Sequence, residues 1–328
     1  VKQMRSSIVL LGPLLGRTGK VITSYPGGCA IGVRPIDLHL KGLRQLGARV
    51  DTHGQIICKG ENLTGTEIQL DYPSVGATEN IMLAAVLARG ETIIRNAAKE
   101  PEIADLQGFL NSMGAKVQGA GNHVIRIEGV KRLHSCRYTV MTDRIAAGTY
   151  MIAAAITGGE VNLENIVVEH LHSIVDKLRE SGCIIRTNCN NLRLIAPERL
   201  RAVDLIRTLP YPGFPTDAQP QMMAAMCTAQ GTSIFVETIF ENRYRHIDEL
   251  VKLGADIKVD GRIAVIRGVP RLSGALVTAK DLRGGAALVL AGLAAEGVTE
   301  VEGVEHIDRG YENLGRKLKN MGADIIMV

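Results

Sequence analysis

The sequence predicts an α/β fold of two domains, each assembled from copies of one supersecondary unit, with buried helices around a shared axis and short strands outside. Three observations carry that prediction. A glycine-centred turn recurs five times, a nearly all-apolar helix alternates with it, and the composition is 46% hydrophobic but only 3% aromatic, without tryptophan. Cores must therefore be built from Ala, Val, Ile and Leu, and 328 residues are enough for two of them.

The turn reads Leu43-Arg-Gln-Leu-Gly-Ala-Arg-Val50, Leu110-Asn-Ser-Met-Gly-Ala-Lys-Val117, Leu178-Arg-Glu-Ser-Gly-Cys-Ile-Ile185, Leu250-Val-Lys-Leu-Gly-Ala-Asp-Ile257 and Leu318-Lys-Asn-Met-Gly-Ala-Asp-Ile325. Its glycines are spaced by 67, 68, 72 and 68 residues, the mark of a duplicated unit. Each segment predicts an amphipathic helix, a left-handed glycine that ends it, and a strand. The alternating helices are predicted over 4–15, 77–88, 143–156, 217–229 and 281–295, each followed by a glycine and a β-rich run such as Glu91-Thr-Ile-Ile-Arg95. Having almost no polar face, they are expected to be buried.

Five units divide unevenly between two similar domains, whereas six divide as three and three. The chain opens directly in a buried helix, so we expect one unit upstream of Val1; a chain natively of five units is the other reading. The expected domains are 1–141, with two of three repeats, and 142–328, with three.

Scarce aromatics argue against nucleic-acid stacking platforms. A net charge of +4 without runs of like charge suits scattered cations around a small anionic ligand. The six cysteines, at 29, 58, 136, 183, 189 and 227, form no C-x-x-C pair, which fits reduced thiols in a cytoplasm. The longest apolar runs, such as 286–295, fall short of the roughly 18 residues needed to cross a bilayer, so no membrane association is expected.

Polar residues cluster where buried helices begin: Arg5, Ser74-Val75-Gly76, Asp143-Arg144, Thr216-Asp217 and Asp281-Leu282-Arg283. Capping accounts for Thr216, Asp143 and Asp281, and offers a second reading of Asp217. Arginines at a helix N-terminus oppose the macrodipole and call for an anion, such as a bound phosphate or carboxylate. Arg34 and Arg309 are further anion-binding candidates, since a guanidinium grips such groups bidentately; a solvated surface role is the alternative for each. Arg34 follows Pro26-Gly-Gly-Cys29-Ala-Ile-Gly-Val33, a small-residue loop that suits a mobile lid carrying a thiol, although a plain surface turn reads the same way.

Taken together, the cysteine loop with Pro35-Ile-Asp-Leu-His39, Ser74-Val-Gly-Ala-Thr78, Phe214-Pro-Thr-Asp217, Phe240-Glu-Asn-Arg243, Asp281-Leu-Arg283 and His306-Ile-Asp-Arg-Gly-Tyr311 resemble the UDP-N-acetylglucosamine enolpyruvyltransferases, across essentially the whole chain. The resemblance implies two inside-out α/β barrels, each of three pseudo-threefold repeats. It implies transfer of the enolpyruvyl group of phosphoenolpyruvate to the 3′-hydroxyl of the UDP-sugar with release of phosphate, the first committed step of peptidoglycan synthesis, without metal or organic cofactor. By the same resemblance Cys29 is the general acid, alkylated by fosfomycin in enzymes that have it, and Asp217 takes the sugar proton. Arg34, Arg283 and Arg309 surround phosphoenolpyruvate, Arg309 being counted with the catalytic residues. Contacts to the UDP-sugar fall to Arg5, Arg34, Pro35, Ile36, Asp37, Leu38, Tyr72, Pro73, Ser74, Val75, Gly76, Asp217 and Ile239.

Two departures stand out: the family's N-terminal Lys-Asn pair belongs to the unit absent here, and Tyr72 stands where some members have lysine. The alternatives are a transferase like 5-enolpyruvylshikimate-3-phosphate synthase, disfavoured by Cys29, and a non-catalytic UDP-sugar-binding paralogue or fragment.

Overall fold

The computed structural model describes residues 5–27, 31–32 and 35–327. The chain forms two compact units that part between Met141 and Thr142, except that Ile31 and Gly32 group with the second unit and not with the expected 1–141 domain.

The helices of the first unit are α1 (Leu11–Thr18), α2 (Asp37–Gln45), α3 (Val75–Ala85) and α4 (Pro101–Ser112). Small and aliphatic side chains occupy nearly every position of α3, and Ala77, Ile81, Met82, Ala84 and Ala85 are all sealed from solvent. It packs against α1 and α2. Strands β1 (Lys20–Thr23), β2 (Arg49–Asp51) and β3 (Ile56–Lys59) pair antiparallel in the order β1-β3-β2. A second sheet, of β4 (Glu67–Gln69), β5 (Glu91–Arg95), β6 (Lys116–Gln118) and β7 (Val124–Glu128), runs β4-β5-β7-β6, with β4 and β5 parallel and the rest antiparallel.

The helix expected over 4–15 is a 3-10 turn at Arg5–Leu10 that becomes α-helical at Leu11. Pro13 explains the shift, because proline is accommodated in a first turn, where its missing N–H would have no helical partner.

The second unit holds α5 (Arg144–Ile156), α6 (His172–Glu180), α7 (Gln219–Met226), α8 (Ile247–Lys252), α9 (Leu282–Leu293), α10 (Glu305–Asp308) and α11 (Leu314–Asn320). Helices α5, α7 and α9 pack against one another as an inner core, and every residue of α7 is buried. α6 and α8 are amphipathic as expected; α6 buries Ile174, Val175 and Leu178 and turns its charges outward. Three strands, β8 (Glu160–Leu163), β9 (Ile184–Asn188) and β10 (Asn191–Ile195), form an antiparallel sheet ordered β8-β10-β9. Four more, β11 (Leu205–Arg207), β12 (Thr232–Val236), β13 (Asp256–Asp260) and β14 (Ile263–Arg267), run β11-β12-β14-β13, repeating the order and polarity of the four-stranded sheet in the first unit. Parallel pairs join β15 (Leu272–Ser273) to β17 (Ala295–Glu296) and β16 (Leu276–Thr278) to β18 (Glu300–Glu302).

The repeated glycines do what the sequence asks of them. Gly47, Gly114, Gly182, Gly254 and Gly322 have φ of +95°, +91°, +100°, +92° and +102°. The residue after each donates its N–H to the carbonyl five positions back, from Ala48 to Leu43 at 3.0 Å through to Ala323 to Leu318 at 3.1 Å, closing the helix as in a Schellman turn. Four of the turns lead into β2, β6, β9 and β13, each completed by the hairpin strand that follows. The fifth does not: residues 323–327 form no strand, against expectation. A strand exists only by pairing, and among the described residues no return strand follows Ala323.

Candidate active site

In the first unit Pro35, Ile36, Asp37 and Leu38 lead into α2, while Tyr72, Pro73, Ser74, Val75 and Gly76 lead into α3. Ser74 Oγ accepts the Ala77 N–H at 3.3 Å, so this hydroxyl is a helix cap. His39 joins the two helix starts. Gly76 lies so near its ring that a Cβ there would stand 3.0 Å from Cε1. Buried Asn80 donates from Nδ2 to His39 Nδ1 at 2.9 Å and to the Ile8 carbonyl at 2.8 Å, which makes Nδ1 the acceptor and leaves the ring proton on Nε2. Neither His39 nor Asn80 was among the expected site residues. Cys29, Arg34 and the side chain of Arg5 lie outside the described residues.

In the second unit Asp143 and Asp281 cap α5 and α9 as expected, each accepting two backbone N–H groups at 2.8–3.1 Å. The turn before α7 departs from that pattern. Thr216 is not a cap, since its hydroxyl donates to Glu237 Oε2 at 3.1 Å, and α7 starts behind Ala218 without a side-chain cap. Asp217 is engaged by arginines instead. Arg243 donates from Nη2 to Asp217 Oδ1 at 3.1 Å, while Arg283 Nη2 stands 3.7 Å from Oδ2.

Arg243 is the organising cation of this turn. Only 2% exposed, it also donates from Nε and Nη2 to the Thr216 carbonyl at 3.1 and 2.9 Å, and its Nη1 lies 3.7 Å from Asp281. Such a fork fixes both the backbone and the side chain of the turn. Glu237, equally buried, gathers the neighbouring loop: Oε1 accepts the N–H groups of Ile239 at 2.8 Å and Phe240 at 3.1 Å. The Thr216-Asp217 turn and Ile239 are thus tied to one carboxylate that the sequence did not single out.

Arg283 spreads over the Tyr311 ring, 4.9 Å from its centroid, and Arg144 lies 5.7 Å over Tyr211. Protein groups therefore offset these helix-start cations, which corrects the expectation that an external anion is needed to tolerate them. Burial works against the charge on Arg283, but Asp217 foremost, then Tyr311, hold its pKa above the ordinary arginine value. Its Nη1 is buried without a hydrogen-bond partner, an open donor for an anion. Arg309 follows α10 at the surface, two residues before Tyr311.

His246 lies behind this cluster, fully buried, with Nδ1 3.2 Å from the Arg243 carbonyl. Burial pushes its pKa down to about 4, the Arg243 charge adding to that effect and Asp281 opposing it. The arrangement can accept a proton at half-exposed Asp217 and an anion at Arg283, and it holds both groups on a rigid, buried frame.

Among the described residues no helix is long and apolar enough to cross a membrane. The family model described as EPSP synthase (3-phosphoshikimate 1-carboxyvinyltransferase) matches residues 1–318. UDP-N-acetylglucosamine 1-carboxyvinyltransferase 2 of Caldanaerobacter subterraneus subsp. tengcongensis is 59% identical over 329 residues, covering 100% of this chain and 79% of its own length. UDP-N-acetylglucosamine 1-carboxyvinyltransferase 1 of Symbiobacterium thermophilum is also 59% identical, covering 100% of this chain and 74% of its own. Among solved structures the enolpyruvyl transferase NikO from Streptomyces tendae superposes with a TM-score of 0.87 at 24% identity, covering 98% of this chain and 77% of its own. EPSP synthase from Acinetobacter baumannii gives 0.72 at 21%, covering 98% and 78%. These two likenesses show the fold, which the chain shares with those structures.

Proposed function

We propose that this chain, which belongs to the EPSP synthase (3-phosphoshikimate 1-carboxyvinyltransferase) family, transfers the enolpyruvyl group of phosphoenolpyruvate to the 3′-hydroxyl of UDP-N-acetylglucosamine. The observation that carries the choice of acceptor is the 59% identity, along the whole chain, to relatives named for that sugar nucleotide. Phosphate is the second product. The reaction is the first committed step of peptidoglycan synthesis, takes place in the cytoplasm, and calls on no metal or organic cofactor.

The chemistry is an addition followed by an elimination. Asp217 accepts the proton of the 3′-hydroxyl as that oxygen bonds to C2 of phosphoenolpyruvate, and the Cys29 thiol delivers a proton to C3. The product is a tetrahedral ketal that still bears phosphate. Its C2–O bond to phosphate then breaks, the Cys29 thiolate takes back a proton from the new methyl group to restore the double bond, and Asp217 gives up its proton to the departing phosphate. Arg34, Arg283 and Arg309 hold the phosphate and carboxylate of phosphoenolpyruvate. Arg5, Arg34, Pro35, Ile36, Asp37, Leu38, Tyr72, Pro73, Ser74, Val75, Gly76, Asp217 and Ile239 contact the UDP-sugar, Val75 and Gly76 bringing the N-terminus of α3 to the diphosphate. The clamp on Asp217 and the unpartnered Nη1 of Arg283 support these roles.

The test is phosphate release from phosphoenolpyruvate with either UDP-N-acetylglucosamine or shikimate 3-phosphate as acceptor. Release with the UDP-sugar alone is expected; release with the shikimate alone overturns the reading. Cys29→Ser is expected to abolish both turnover and labelling by an epoxide, and labelling that persists would place the reactive thiol elsewhere.

A further inference from the structure

We infer that Tyr311 is a positioning residue that sets the guanidinium plane of Arg283, a role that rests on the reading of Arg283 as the grip on an anionic substrate. No step of the mechanism above uses Tyr311. Its surroundings nevertheless fix it more tightly than packing alone requires.

The side chain is 2% exposed, and its hydroxyl lies 2.8 Å from Thr149 Oγ1 on α5 and accepts from Gln221 Nε2 on α7 at 2.8 Å. Thr149 Oγ1 already donates to the Ile145 carbonyl at 2.8 Å. Its one proton being used there, Thr149 accepts from Tyr311, and the hydrogen bonds run in one direction: Gln221 to Tyr311 to Thr149 to the Ile145 carbonyl. A phenol held at its hydroxyl from two helices cannot tilt its ring. That ring carries Arg283, which rises from the first turn of the third inner helix, α9.

Each inner helix of the second unit therefore contributes one member to the assembly: Thr149 from α5, Gln221 from α7 and Arg283 from α9. An arginine side chain left to itself samples many rotamers. With its guanidinium carbon held over a fixed ring, Arg283 keeps Nη2 toward Asp217 and Nη1 unpartnered. Ordering of the guanidinium is thus completed before any anion arrives.

The test compares Tyr311→Leu, which removes the ring, with Tyr311→Phe and Gln221→Leu, which keep the ring and remove its anchor. Two readouts are taken on the intact protein: KM for each substrate, and the rate of phenylglyoxal modification at Arg283 relative to Arg144, resolved by mass spectrometry. Tyr311→Leu is expected to raise KM for phosphoenolpyruvate about thirtyfold, the loss of a desolvated cation–π contact, with KM for the UDP-sugar within about twofold. The two anchor variants are expected to raise it roughly threefold, as for one net hydrogen bond. Modification of Arg283 should accelerate in the same order while Arg144 keeps its rate. Equal rises in both KM values, or acceleration at both arginines alike, would reduce Tyr311 to a core residue and overturn the proposal. Absence of phosphate release by the unmodified protein overturns the proposed function instead, and the Arg283-to-Arg144 ratio then decides the role of Tyr311 alone. If Tyr311→Leu does not fold, the two anchor variants decide the question by the same readouts.

Discussion

Arg243 bonds Asp217 through one carboxylate oxygen at 3.1 Å and leaves the other facing Arg283 at 3.7 Å, so this acid is oriented by a buried cation. An amide at the same position keeps the shape and loses the charge. Asp217→Asn is therefore expected to lower kcat by about a hundredfold or more while KM for the UDP-sugar changes only a few-fold. Steady-state kinetics with both substrates checks this; equal losses in kcat and affinity would make Asp217 a binding residue.

Arg243 itself is predicted to matter for stability. Its removal takes the buried cation away from Asp281 and from the Thr216 carbonyl, and one of two arginines away from half-exposed Asp217. Arg243→Met should destabilise the protein by about 3–5 kcal/mol, measured by urea unfolding. Arg243→Lys should recover little of that loss, because an ammonium cannot span the carbonyl and the carboxylate as a fork does.

The repeated glycines allow a controlled comparison. A Cβ at Gly254 would meet nothing within 4 Å, whereas one at Gly114 would stand 2.9 Å from His134 Nε2. Gly254→Ala should cost about 1 kcal/mol, from its positive φ alone, and Gly114→Ala more. Thermal unfolding of the two variants should separate the backbone contribution from the steric one.

A buried histidine and a partly buried glutamate pull the pH–stability curve in opposite directions. His246 has a folded pKa of about 4 against 6.5 for the free side chain, so between those values the unfolded chain binds the extra proton and stability falls as pH is lowered. Glu79 lies in an apolar groove with Leu83, Leu106, Phe109 and Tyr138. Burial first, then the charges of Glu102 and Glu100, push it up to about 7 from 4.5, so its contribution to stability is lost as pH rises through that window. His246→Gln should flatten the acid limb. Glu79→Gln should stabilise the protein at pH 8 by roughly 1–2 kcal/mol, after discounting for partial exposure. Melting curves between pH 4 and 8 test both.

What could be read from the sequence was what local chemistry enforces. A left-handed glycine after a helix closes that helix by bonds five residues apart, so the repeat and its turns were legible, as were the capping roles of Asp143 and Asp281. The frame around the site was not. Thr149 and Tyr311 lie 162 residues apart, and Gln221 and Tyr311 lie 90 apart. Arg243 stands in Phe240-Glu-Asn-Arg243, a segment that entered the sequence reading only as part of the family resemblance, and its partners, the Thr216 carbonyl, Asp217 and Asp281, all lie far from it in the chain. Glu237 likewise follows directly on β12, a run that signals nothing but β structure until the Thr216 hydroxyl and the Ile239 amide converge on its carboxylate.

The uncapped start of α7 sets its unit apart from its sisters. Asp143 and Asp281 bond to the first turns of their own helices, whereas α7 starts behind Ala218 without a side-chain cap and Asp217 is bonded by Arg243. In a chain of repeated units the copy that lacks this local bond, worth about 1 kcal/mol, is the one whose aspartate takes a buried arginine as its partner instead. Divergence among the copies thus marks the unit in which a long-range ion pair stands where its sisters have a local cap, and it is at that position that the proposed proton acceptor lies.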